Sequence, residues 1–429
     1  MDLFDRDQHF GHLVPLKALR DALLRNAIAA VSAKQLGRAK GIRPMTGTQC
    51  QNPSKMEVID DEVDWFYKAA NYYDKAIAFS RIYLQAVSES LSNPPTPNIQ
   101  LQLSTANSDD LLVAVSIFSL YEALDNFEVG WLQHLSGLNT LLETLKYDQT
   151  QGKKLLPSMT AGRRASFWNF ARADYQASYI NRQYTFLDTD DLQLWQKFGL
   201  QVSANGSLYR DAAEVKADPL ASRETVELVA HTLLWLTLRV MNYIANGLDR
   251  SIAESARQSR WTELHCQMEE WYNHLPATFQ PCAELRHPCR RSQSPLDTNA
   301  GSPHSAIIEV FFTSNVCAAT LQIYHFASIL LSLSNPDIVL STIIPPEALK
   351  HAHRILGIAL GRPHPAVRVE MLLPLYVAGF CVKDQEERRV VLELLRAIEV
   401  DTGCGSEKRC EQLMERWKWD SYTRPEAYA

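Results

Sequence analysis

The fifteen-residue stretch Trp131-Leu132-Gln133-His134-Leu135-Ser136-Gly137-Leu138-Asn139-Thr140-Leu141-Leu142-Glu143-Thr144-Leu145 sets the class of this chain. From Trp131, the residues Leu135, Leu138, Leu142 and Leu145 follow at steps of four, three, four and three, which puts them in one stripe on a helix. Leu16, Leu19, Leu23, Ala27, Ala30 and Val31 read as a second stripe, with Pro15 suited to its first turn. Similar patterns run over 111–124, 167–180, 226–244, 307–333, 348–360 and 390–398. No run alternates strictly between turn signals and no strand pair stands out. The expected class is therefore all-α: one large multi-helix domain over 1–429, with room for two lobes and with long polar loops.

Composition supports that reading. Glycine contributes 17 of 429 residues, roughly 4% against the usual ~7%. So little glycine disfavours sandwiches, barrels and propellers, which need sharp turns at short intervals. Polar or proline-rich breaks fall at 37–52, 92–107, 147–163 and 199–222, and the segment Pro281 to Pro303 reads as a mobile surface loop. The apolar helices on either side of these breaks need one another, and no repeat appears at solenoid periods.

The formal net charge is −6, whereas a free-standing nucleic-acid binder owes most of its affinity to a basic surplus. Direct contact with nucleic acid by this chain is not expected. Eight cysteines without framework spacing point to a reducing, intracellular compartment, and the N-terminus carries no secretory signal. The longest stretch without Asp, Glu, Lys or Arg, Val310 to Pro336, contains Asn315, Gln322, Tyr324 and His325. These would be costly against lipid, so a buried core helix is expected and no membrane association.

Each candidate site has a plain structural counterpart. His134 could line a pocket beside a close helix contact at Gly137, or satisfy a buried carbonyl while Gly137 admits a neighbouring helix. Arg172 and Asp174, two apart, point to different sides of their helix. Buried near Phe170 and Tyr175, Asp174 would have a raised pKa suited to acid or base work; its simpler use is to accept hydrogen bonds from another helix end. His231, His325 and His353 sit in apolar helices, and His351 and His353 are two apart, the wrong interval for one face. No His-x-x-x-His, dinucleotide or phosphate-loop motif occurs, so neither metal nor cofactor is expected. Lys153-Lys154 and Arg163-Arg164 resemble a bipartite import signal, with Arg286 and Arg290-Arg291 as a second basic patch. Trp65, Tyr72, Phe118, Tyr121, Trp168, Tyr175, Trp235 and Tyr243 lie on core-facing helices, where they pack the core or line a cavity for an apolar molecule.

A longer set of motifs resembles one family. Phe4-Asp5-Arg6-Asp7 and Leu13-Val14-Pro15 precede an Ala/Leu helix ending Ala29-Ala30-Val31-Ser32-Ala33. Ala69-Ala70-Asn71-Tyr72-Tyr73-Asp74-Lys75-Ala76, the Trp131-x-x-His134-Leu135-x-Gly137 element and Phe167-Trp168 with Arg172 and Asp174 follow. Trp261, Leu264, Trp271, Leu275-Pro276, Tyr324-His325, the run Ala352 to Ala359, Pro374 to Gly379, Glu387-Arg388 and Thr402-Gly403 extend the match to near Trp417. In this order they resemble the fungal-specific transcription factor domain, the regulatory middle-homology region of fungal zinc-cluster regulators. Such regulators carry a six-cysteine binuclear zinc cluster, yet here the first cysteine is Cys50, no Cys-x-x-Cys pair occurs, and Cys282 and Cys289 cannot by themselves close a site.

The resemblance implies a nuclear regulatory module controlling fungal secondary-metabolism genes. It would act through other proteins, such as a DNA-binding regulator or a second copy of itself, or through a small-molecule effector. The rival is a repurposed cyclase, isomerase or lyase in the cytoplasm, independent of metal and nucleotide. Its catalytic candidates would be His134, Asp174, Tyr175 and His325 around an apolar metabolite.

Overall fold

A computed structural model describes residues 1–40, 63–92, 100–125, 129–146, 159–202, 222–247, 254–286, 307–337 and 344–418. Helices dominate it. In chain order they are α1 (His9–Ala18), α2 (Ala22–Ala39), α3 (Trp65–Ser92), α4 (Gln100–Ala123), α5 (Val129–Lys146), α6 (Ala161–Asn181), α7 (Leu192–Lys197), α8 (Arg223–Asn246) and α9 (Glu254–Asn273). After two short strands, β1 (Ala283–Arg286) and β2 (Ile308–Phe311), come α10 (Asn315–Leu333), α11 (Pro346–Leu360), α12 (Pro365–Glu370), α13 (Leu372–Cys381), α14 (Gln385–Thr402) and α15 (Glu407–Arg416). They group into two compact units, Met1–Phe170 with Glu399–Gly405, and Ala171–Ile398 with Ser406–Ala429.

In the first unit, the stripe Trp131, Leu135, Leu138 and Leu142 is buried as its spacing requires; the Leu145 side chain lies outside the described residues. The N-terminal stripe is broken. Leu16 and Leu19 stand 64% and 75% exposed, whereas Leu23, Ala27 and Ala30 are fully buried. The reason is Asp21, whose carboxylate accepts from the Leu24 amide at 2.9 Å and starts a new helix. Pro15 accordingly lies inside α1, not at the start of a longer helix.

Farther along α2, buried Lys34 pairs with Asp125 at 2.6 Å and donates to the Tyr121 carbonyl at 2.7 Å. Arg38 reaches Asp125 at 2.8 Å and the Gly403 carbonyl. The Gly405 amide donates to Leu124 O at 3.1 Å and Gln35 Nε2 donates to Thr402 O at 3.1 Å. The late segment Glu399–Gly405 is thereby sewn onto α2 and the end of α4.

The second unit is built on α8 and α10. Both are long and apolar enough to span a bilayer, and most of each apolar stretch is buried within the protein. Indole N–H groups reach main-chain carbonyls around them: Trp235 to Thr189 O at 3.0 Å, Trp271 to Val229 O at 3.1 Å and Trp261 to Leu331 O at 2.8 Å. The core helix expected within 310–336 begins at Asn315, and the helical pattern assigned from Ile307 gives way to β2 at its start.

That strand pair corrects the expectation of none. β1 and β2 are antiparallel, with Ala283 opposite Phe311 and Arg286 opposite Ile308. The remainder of the loop assigned to 281–303, from residue 287 on, lies outside the described residues. The hairpin rests on α11. Arg354 holds Glu284 at 2.7 Å, and β2 carbonyls face Gly357 and Gly361, where any Cβ would fall closer than 3.0 Å to Ile308 O or Val310 O. Glycine at both positions lets strand backbone lie directly on the helix.

Candidate functional site

His134 stands on α5 in the first unit, where its Nε2 hydrogen-bonds the Tyr73 hydroxyl of α3. Tyr73 stacks on Tyr121 at 4.2 Å, and the Phe118 ring lies 5.7 Å from the imidazole. Burial lowers the His134 pKa and keeps the ring neutral, while burial and Glu122 hold the Tyr73 phenol protonated. Gly137 makes no close helix contact: an added Cβ would meet nothing within 4 Å.

Asp174 lies fully buried on α6 in the second unit, accepting from the Phe186 and Leu187 amides at 2.9 Å each. Burial pushes its carboxyl up to about 7, against the pull of those two amides. Its partners are two consecutive amides of the connection to α7, so the carboxylate staples that turn. Arg172 points elsewhere, to Glu370 on α12 at 3.4 Å, as the two-residue spacing implies. Tyr175 is buried against Phe326, with ring centroids 5.8 Å apart, and burial raises its pKa.

His325 is buried on α10 with its Nδ1 2.8 Å from His351 Nδ1 on α11. One ring donates and the other accepts, so the pair is neutral. Burial and the neighbouring imidazole hold His325 well below the ordinary histidine range, and burial lowers His351 to about 4. Tyr324 stacks between Trp271 at 5.5 Å and Tyr272 at 4.6 Å. His353 diverges to Glu387 at 2.9 Å. The four sequence candidates thus form no single constellation: His134 belongs to one unit, and the other three have separate partners.

A different part of the second unit holds a cavity of about 510 Å³ between β2, the end of α11, α12 and α14. Phe311, Leu360, Met371, Val390, Leu394 and Ile398 give it apolar walls, and Glu309, Arg362, Arg368 and Glu393 bring charge to it. Arg362 adopts φ 46°, an uncommon left-handed conformation for a side chain-bearing residue. Among the described residues that line this space are none of the aromatics singled out from the sequence and no Ser, Thr, Cys, His or Tyr. Such a lining can hold an apolar body with a charged end. Sequence reasoning missed it because its residues come from four separate elements. Among the described residues no group of three or more His, Cys, Asp or Glu is placed to hold a metal ion.

The basic pairs are partly spoken for. Arg163 is 5% exposed and ion-paired with Asp109, and Arg164 holds Asp7 at 2.6 Å. That half of the bipartite pattern is built into the first unit. Lys153, Lys154, Arg290 and Arg291 lie outside the described residues, while Arg286 is exposed on β1.

The amino-acid sequence finds a counterpart among known proteins. Residues 5–200 match the fungal specific transcription factor domain. Over that segment the chain is similar to the fungal-specific transcription factor domain. This family's match takes in α1 to α7, including His134, Asp174 and Tyr175, and ends before the cavity and His325. Transcription activator AMTR1 of Alternaria alternata is 30% identical over 486 aligned positions, which cover 97% of this chain and 61% of that protein. The chain therefore spans somewhat under two thirds of the length of this curated relative. No solved structure matches it.

Proposed function

We propose that the chain is a regulatory module of transcriptional control, acting in the nucleus of a fungal cell on secondary-metabolism genes. One observation carries the reading: likeness to a transcription activator runs through 97% of the chain, far beyond the family segment at residues 5–200. Its output passes through protein partners, because a chain of net charge −6 with Arg163 and Arg164 tied into ion pairs offers little to a phosphate backbone. An effector with an apolar body, held in the 510 Å³ cavity, would favour one packing of α11 and α14 over another. The catalytic reading draws no support from side chains that share no constellation.

Transcript profiling after gene deletion tests the proposal. A defined set of transcripts should change, and the chain fused to a foreign DNA-binding domain should alter a reporter. Unchanged transcripts together with an accumulating intermediate that the purified protein converts would overturn it.

A further inference from the structure

The outer flank of α3 carries a regular pattern. Trp65, Lys68, Tyr72, Lys75, Phe79 and Ile82 follow at steps of three and four, which places them in one stripe along the helix. Lys68, Lys75 and Ile82 are exposed, Ile82 by 61%, while Trp65, Tyr72 and Phe79 are half-buried. Trp65 and Tyr72, expected to face the core, thus sit at its margin, because the buried side of α3 runs through Ala69, Ala76 and Ser80.

The rings hold cations beside them. Lys68 Nζ lies 5.4 Å from the centre of the Trp65 ring, and Lys40 Nζ, at the end of α2, lies 5.5 Å from the same ring. Lys75 Nζ lies 5.9 Å from the centre of the Tyr72 ring. Neither Lys68 nor Lys75 forms an ion pair among the described residues. Carboxylates are kept off the stripe. Asp74 is the sole acidic residue between Trp65 and Ile82, and it falls on another side of the helix. Asp64, just before the helix, turns inward to accept from the Tyr67 amide at 2.9 Å. One flank of an acidic chain therefore presents unpaired cations and open apolar surface together.

We propose that this stripe is a docking face for an amphipathic helix of a partner protein, one that carries carboxylates seven residues apart beside apolar residues. Lys68 and Lys75 are themselves seven residues apart, about 10 Å along the helix axis. Two such carboxylates on a helix lying alongside therefore meet both ammonium groups in register. Tyr72, Phe79 and Ile82 take the apolar side chains. A second copy of this face fits poorly, since it would set lysines against lysines with no carboxylate between them. A DNA duplex also fits less well: so few ammonium groups reach few phosphates, and Phe79 and Ile82 would meet nothing apolar on its backbone. The inference rests on the reading that this chain works through protein partners.

The test uses the full chain and a labelled eighteen-residue helical peptide with leucine along one face and two glutamates seven residues apart beside it, followed by fluorescence anisotropy. Binding should weaken with added salt. The Lys68→Glu/Lys75→Glu protein should bind at least about ten-fold more weakly, and it should prefer a peptide whose two glutamates are replaced by lysine. Ile82→Ser should show part of the loss. All three side chains are exposed, so the melting curves should stay unchanged. Unaltered affinity in the double variant, no preference of that variant for the lysine peptide, or tighter lysine-dependent binding of a duplex than of the peptide would overturn the assignment. So would peptide binding seen only after Asp60→Asn/Asp61→Asn, because the chain's own acidic stretch would then be the occupant. If the peptide fails to bind while the reporter fusion still responds, the docking face falls and the regulatory reading stands. Charge-dependent peptide binding with a silent reporter and unchanged transcripts reverses that outcome.

Discussion

Gly357→Ala is the sharpest test of the packing described here, with Gly137→Ala as its counterpart. Both glycines sit inside helices, so replacing either by alanine should gain about 0.5–1 kcal/mol from backbone propensity and unfolded-chain entropy. Their surroundings differ. At Gly137 a Cβ would meet nothing within 4 Å, so the gain survives. At Gly357 it would fall closer than 3.0 Å to the Ile308 carbonyl oxygen and lie 3.0 Å from Val310 Cγ2. The obstacle is strand backbone, held by pairing with β1 and by the Arg354–Glu284 contact at 2.7 Å, so it cannot swing aside as a flexible side chain would.

Overpacking of this kind costs about 1–3 kcal/mol, and a rigid obstacle argues for the upper part of that range. Gly357→Ala should therefore destabilise the second unit by about 2 kcal/mol net, and Gly137→Ala should stabilise the first by somewhat under 1 kcal/mol. Urea unfolding followed by tryptophan fluorescence reads the difference, with the Gly357→Ala midpoint lower by about 1 M for an m-value near 2 kcal/mol/M. A Gly357→Ala protein as stable as wild type would refute the claim that β2 lies directly on α11. A clear loss at Gly137→Ala would refute the open space beside α5.

Three further outcomes follow from other contacts. Asp174→Ala should cost about 2–5 kcal/mol, since it leaves the Phe186 and Leu187 amides buried without an acceptor. The carboxyl of Asp174 is raised to about 7, so its contribution is full below the unfolded value near 3.8 and is lost as pH rises through 7; Asp174→Asn should flatten that part of a stability-versus-pH curve. The histidine pair has the opposite sign. With His351 lowered to about 4, stability is full above the unfolded value of 6.5 and falls as pH drops toward 4, and His351→Gln should shift acid unfolding to lower pH. Finally, Arg38→Ala removes the bonds to Asp125 and the Gly403 carbonyl, and faster hydrogen exchange at the Gly403 and Gly405 amides, with about 2–4 kcal/mol lost, is the expected readout.

Much of the fold was legible because helical burial repeats on a short period. Trp131, Leu135, Leu138 and Leu142 announce their shared face within four turns, and all are buried. The same rule failed at Leu16 and Leu19 because their spacing continues in phase across a helix break. Asp21 just before Ala22-Leu23 was the available warning, being a good cap residue. The strand Ile308-Glu309-Val310-Phe311 was hidden by its closeness to an apolar helix, although β-branched and aromatic side chains signalled it.

The site was far less legible. His325 and His351 meet from 26 residues apart, and the cavity draws on residues from Glu309 to Ile398; no local period encodes such encounters. Nor does a helical glycine declare what it faces. Gly137 and Gly357 look alike in sequence, yet only the second meets another backbone.

The sewing of Glu399–Gly405 onto α2 has a consequence for biosynthesis. A ribosome that has released Phe170 has delivered most of the first unit but not its final piece, which arrives only after the second unit's long middle section. At ordinary elongation rates of about 5–20 residues per second that delay is roughly 10–50 s. During it, Lys34 and Arg38 must wait with Asp125 while the Gly403 carbonyl is still unmade. Until Glu399–Gly405 is made, the first unit lacks the strip that its α2 side chains hold, and a chain truncated before Gly405 would leave that unit unfinished.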